Sequence, residues 1–142
     1  MRGLAVTIAI AALALASPAH AQAQANIVGE WVFEAPLEPD DGCVITGRAV
    51  ISPPNAQGEY AITTTGEETC PSAHWRSVQS CVGRRTGAEL LIDCTIVSAE
   101  PASYIDDDFT LRIASRDLMQ GRLLSSRGGD AIWRRTRPPL VS

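Results

Sequence analysis

Four cysteines, two histidines and sixteen carboxylates are the residues of this 142-residue chain able to do chemistry. Cys43, Cys70, Cys81 and Cys94 are even in number and include no Cys-x-x-Cys pair, so the usual spacing of a zinc or dithiol redox site is missing. Two disulfides are expected if the chain is exported, and by count alone three pairings are open. His20 and His74 are the two histidines. His74 lies in Cys70-Pro71-Ser72-Ala73-His74, a loop-like context that reads as a surface position. The densest acidic run, Tyr104-Ile105-Asp106-Asp107-Asp108, lacks the alternating oxygen ligands and the glycine of a calcium loop. Nothing sets a raised-pKa acid opposite a base, as glycoside hydrolysis would need. These residues point away from an enzyme, and no cofactor or metal is expected.

The first 21 residues read as a secretory signal peptide. Arg2 gives a positive start, residues 4–16 an apolar run, and Ala19-His20-Ala21 a small-x-small cleavage site. That run is short for a membrane span, and no cysteine stands near the cleavage point to take a lipid. Export to the periplasm or beyond is therefore expected. His20 leaves with this segment, so a Ser-His-Asp or Cys-His arrangement would have to use His74, and a multi-histidine metal site is excluded. The remainder divides into a flexible N-terminal tail at 22–26, one domain at 27–137 and a C-terminal tail at 138–142. Losing Arg2 moves the formal net charge of -4 down by one, to -5. A chain this acidic does not suit nucleic acid, which needs a basic face, and suits a cationic partner better.

Short segments of period-two alternation, broken by Gly, Pro, Asn and Asp, dominate the mature chain. Strands are expected at 27–35, 43–52, 59–65, 75–83, 89–97, 109–114, 119–125 and 131–136. The fourth is the weakest, since neither of its faces is clearly apolar. No window has a convincing helical period, and most connections are short enough to join antiparallel neighbours. The expected fold is all-β, an eight-stranded antiparallel up-and-down β-barrel, with a two-sheet β-sandwich as the competitor.

Hairpin geometry narrows the cysteine pairing. A two-residue type II′ turn at Gly87 and Ala88 makes the numbers of facing residues sum to 175, as for 86 with 89. Cys81 and Cys94 also sum to 175 and fall in the closer, non-hydrogen-bonded class of pair. Cys43 is then left to Cys70, and a meander brings both to the same barrel end.

Gly29-Glu30-Trp31 opens the first strand, and Trp133-Arg134-Arg135 lies on the last. This pattern resembles the calycin group, the lipocalins, avidins and small bacterial metalloprotease inhibitors, in which a Gly-x-Trp on the first strand packs near an arginine on the last. The resemblance implies that Arg134 or Arg135 caps Trp31 where the barrel closes, with Gly29, Trp31, Trp133, Arg134 and Arg135 as structural residues. It also implies a binding protein for a small apolar ligand.

With the first strand running upward, the loops 36–42, 66–74, 98–107 and 126–130 gather at one end and make it strongly acidic. The candidate ligand or partner residues are Trp31, Tyr60, Glu67, Glu68, Tyr104, Asp106 and Asp107. Two functions are expected from them: a lipocalin-like binding protein for a small apolar ligand or a protein partner, or a periplasmic inhibitor of a basic hydrolase such as a lysozyme, or of a protease, acting through the acidic loops.

Overall fold

A computed structural model describes residues 25–136; the expected signal peptide at 1–21 and the expected C-terminal tail at 138–142 lie outside the described residues. Eight strands follow in order: β1 (Gly29–Pro36), β2 (Val44–Ile51), β3 (Glu59–Cys70), β4 (Ala73–Thr86), β5 (Glu89–Glu100), β6 (Asp108–Ser115), β7 (Leu118–Leu124) and β8 (Gly128–Arg135). Each pairs antiparallel with the next, and β8 pairs back onto β1, where Phe33 faces Trp133 and Trp31 faces Arg135. This closure excludes the sandwich, although β5 meets β6 only along Glu89–Ile92 and its upper part is paired on the β4 side alone.

The alternation in the sequence sorts side chains between lumen and solvent. Trp31, Phe33, Ile45, Ile51, Ile62, Leu90, Phe109, Leu111, Ile113, Met119 and Trp133 are all at most 5% exposed, and together they fill the barrel. Phe33 stacks on Trp133 with centroids 5.0 Å apart, and Phe109 packs edge-on against both, at 5.4 and 5.1 Å. Such aromatic pairs add roughly 1 kcal/mol beyond their burial. Room for Phe33 comes from Gly47: a Cβ there would lie 2.3 Å from the Phe33 ring and 2.4 Å from the Thr65 carbonyl oxygen.

At the closure, the Arg135 guanidinium stands 4.5 Å from the centre of the Trp31 ring. Its nitrogens donate to the carbonyls of Val28, Asn26 and Arg116, and the Trp31 Nε1 donates to the Ile27 carbonyl at 2.9 Å. Arg134 points outward, 3.8 Å from Glu34. Ala25 and Asn26, at the end of the stretch read as a tail, are tied down by Arg85 and Arg135, and Ala25 packs against the core.

Two differences from the expected strands matter for the site. The segment 66–74 is not a loop: β3 and β4 stay paired up to Cys70 opposite Ala73, so only Pro71 and Ser72 form the turn. This extension carries Thr, Glu and Arg on its outer face, a pattern that leaves no apolar stripe to read. A register shift between Val78 and Gln79 also lengthens the upper part of β5, which reaches Glu100. The disulfides are Cys81–Cys94, a facing pair on β4 and β5, and Cys43–Cys70 at the upper end. Gly87, at φ +60, occupies the first central position of the β4–β5 turn, which suits a residue without a Cβ.

Candidate functional site

The upper end of the barrel is formed by the β1–β2, β3–β4, β5–β6 and β7–β8 connections. Among these, the β5–β6 loop leaves residues 101–103 and Ile105 exposed and turns its last residue inward. Asp107 is its anchor, at 3% exposure. Gln79 Nε2 donates to Asp107 Oδ2 at 2.7 Å, and the Asp107 backbone N–H donates back to Gln79 Oε1 at 2.9 Å. Gln79 Nε2 also donates to Ser77 Oγ at 2.9 Å. The Tyr104 hydroxyl lies 3.2 and 3.1 Å from the two Asp107 oxygens and reaches Glu68 as well.

Burial pushes the Asp107 carboxyl up from its ordinary range, against the lowering effect of its donors Gln79, Ser125 and Tyr104. Glu68 is raised chiefly by burial, with Asp107 and Asp41 adding to the effect while Arg127 opposes it. The Tyr104 hydroxyl is also raised, first by burial and then by the two carboxylates beside it. It is therefore a hydrogen-bond donor throughout the physiological range. The cluster is a latch: one hydroxyl and one amide hold a carboxylate where the strands of the mouth converge.

A carboxyl raised in the folded state favours the fold most below its unfolded value, near 3.8, and that contribution is lost as pH rises through the raised folded value. Asp107→Asn removes the titration and keeps an acceptor for Gln79. The stability difference between variant and parent is thus expected to shift in the variant's favour from pH 3 to pH 7, as read by urea denaturation. A difference that stays constant across that range contradicts the buried carboxylate.

The structure brings Glu68, Tyr104 and Asp107 together and separates the other sequence candidates from them. Glu67 points outward, 3.4 Å from Arg76 and 3.2 Å from His74. Asp106 is half-buried beside Asp107 on the loop. Tyr60 sits low on β3 opposite Gly83, and Trp31 is wholly buried at the closure, so neither belongs to the mouth. Sequence reasoning missed Ser77 and Gln79, the buried polar residues that serve Asp107, as well as half-buried Trp75, which faces Glu68 across β3 and β4. The missing apolar face of β4 was their only signal.

Around the latch, carboxylates outnumber bases. Glu38, Asp40, Asp41, Glu67, Glu68 and Glu100 share this end with Asp106, Asp107 and Asp130, against Arg76, Arg122 and Arg127. Arg122 is held by Glu38 at 2.8 Å and by Asp130 at 2.9 Å, and Arg127 by Asp41 at 2.7 Å. Among the described residues Asp40, Glu68, Glu100, Asp106 and Asp107 make no ion pair. Ligand atoms of Cys43, Glu68 and Cys70 lie within 4.8 Å of one another, but the sulfurs are bonded to each other and offer no thiolate to a metal.

The fold defines a class, the closed eight-stranded antiparallel β-barrel, and comparison with known proteins goes no further than that class. No family model matches the chain, and no curated protein matches it. Its fold is similar to that of a de novo designed fluorescence-activating β-barrel, with a TM-score of 0.57 and 21% identity over 82% of this chain and 98% of the designed one.

Proposed function

We propose that this chain is an exported, non-enzymatic binding protein whose acidic mouth receives a cationic protein, as an inhibitor of a basic hydrolase such as a lysozyme, or of a protease, would. The observation that carries this reading is the set of carboxylates at the mouth that form no ion pair among the described residues, at the same end as half-buried Trp75 and Tyr104. Charge of one sign on a rim speeds encounter with the opposite sign, and aromatic side chains supply contact area. Two disulfides suit an oxidising compartment outside the cytosol.

The test uses the carboxylates that are free to act. In the triple variant Asp40→Asn, Glu100→Gln and Asp106→Asn, Asp107 and its latch stay intact. With roughly 0.5 kcal/mol for each exposed charge contact, binding to a basic lysozyme at low salt is expected to weaken about tenfold. Binding by the parent that is indifferent both to salt and to these three changes removes the reading.

A second reading, a small apolar ligand in the lumen as in lipocalins, is favoured by one observation. Trp133 Nε1 is buried with no hydrogen-bond partner among the described residues, a loss of about 1–3 kcal/mol that a ligand acceptor would recover. The fluorescence-activating barrel adds an analogy of fold. The packed rings of Phe33, Phe109 and Trp133 weigh against it, and native mass spectrometry of the purified protein separates the two readings.

A further inference from the structure

A second surface lies on the outer wall just below the mouth and shares Glu67, Arg76 and Glu100 with it. A groove of about 880 Å³ crosses the outside of the barrel from β8 over β1 to β5. Its floor is main chain: Phe33, Gly47, Gly66, Ser77 and Ala99 follow one another along the register, with their side-chain positions turned inward. The outward residues on either side of that row form two walls.

The walls differ in charge. Toward the mouth, the register aligns Glu34, Thr46, Glu67, Arg76 and Glu100, which sum to three acids against one base. Toward the termini it aligns Arg134, Val32, Arg48, Thr65, Val78 and Ser98, which hold two bases and no acid. Arg134 and Glu34 approach across the groove at 3.8 Å, and Arg76 rests 3.4 Å from Glu67. Among the described residues Arg48 and Glu100, one on each wall, make no ion pair.

We infer that this groove receives an extended segment of a partner protein in which basic and acidic residues alternate. From β1 to β4 the floor strands are paired on both sides along the groove, so an occupant lying across them must be held by side chains. An extended chain sends successive side chains to opposite sides. Alternating charge therefore places every base against the acidic wall and every acid against the basic one. Five inter-strand steps of ~4.8 Å give a length of about 24 Å, room for about seven extended residues and more than a small molecule fills. The ion pairs already in the groove are exposed and cost little to exchange for others.

The experiment titrates the whole barrel domain, disulfides intact, with an octapeptide of alternating Lys and Glu, and in parallel with one of the same composition carrying four Lys followed by four Glu. Amide shifts are followed by NMR. The alternating peptide is expected to perturb Gly47 and Gly66 and to bind at least fivefold more tightly than the block peptide. Arg48→Glu, an exposed change away from the core, is expected to weaken it about tenfold with the melting temperature unchanged. The inference falls if the two peptides bind alike, if Arg48→Glu binds as the parent does, or if the shifts map to the mouth. Lysozyme binding by Arg48→Glu reports on the mouth separately.

Discussion

Trp31→Ala is expected to cost about 3–5 kcal/mol, the range for removing a buried tryptophan, out of a total that for such domains is roughly 5–15 kcal/mol. Trp31 is wholly buried at the seam where the first and last strands meet, so three losses coincide. The ring volume goes, the Ile27 carbonyl loses its donor, and the Arg135 guanidinium loses the surface 4.5 Å beneath it. The last contact alone is worth roughly 1 kcal/mol. Arg135 cannot follow the collapse, because its nitrogens are fixed on the carbonyls of Val28, Asn26 and Arg116, and the void should therefore stay open. Urea denaturation should show a lower midpoint with an unchanged slope. Trp31→Phe keeps the ring and gives up the indole donor, so it should lose less than half as much. A cost below about 1 kcal/mol for Trp31→Ala would show that the seam is not what closes the barrel.

The barrel was legible because its physics is local. Each strand of a closed, filled barrel has one wet and one dry face, and Trp31, Phe33, Ile45, Ile51, Ile62, Leu111 and Ile113 fall on the dry side at every second position. The turn at Gly87 fixed the β4–β5 register, and the facing of Cys81 and Cys94 follows from it. Where the alternation ran out, at the upper ends of β3, β4 and β5, the strands continue on main-chain pairing alone. Backbone hydrogen bonds leave no mark in the side-chain sequence.

The mouth was half legible for the same reason. Charge adds up along a sequence once the loops are assigned to ends, so the acidity of this end could be read before any contact was known. Which carboxylates remain free could not. Arg122 belongs to β7, and its reach to Glu38 joins residues 84 positions apart. Asp107 looked like one member of an exposed acidic run, yet the β5–β6 loop turns it into the lumen to meet Gln79, 28 positions away. A buried polar residue on one strand implies a polar partner elsewhere. The inward Ser77 and Gln79 of β4 are the sequence trace of that partnership.

Both disulfides should matter more than any single side chain at the mouth. Cys81–Cys94 spans 13 residues and Cys43–Cys70 spans 27, and the two loops do not overlap. In the chain-entropy account the shorter loop stabilises by about 3 kcal/mol and the longer by roughly 3.6 kcal/mol. Because the loops are separate, their effects on the unfolded chain should add to roughly 6.5 kcal/mol, comparable with the whole stability of a domain this size. Cys81→Ala with Cys94→Ala is therefore expected to fold with its urea midpoint lowered by the equivalent of about 3 kcal/mol. Alanine suits these lumen positions, at 3% and 2% exposure, since a serine there would bury a hydroxyl. Removing all four cysteines should leave a chain largely unfolded without denaturant. The denaturation slope should rise as cross-links are lost, because the unfolded chain then exposes more surface. If the cysteine-free chain instead melts cooperatively within about 1 kcal/mol of the parent, the filled lumen and the Trp31–Arg135 seam are sufficient by themselves, and the disulfides add little to the equilibrium stability.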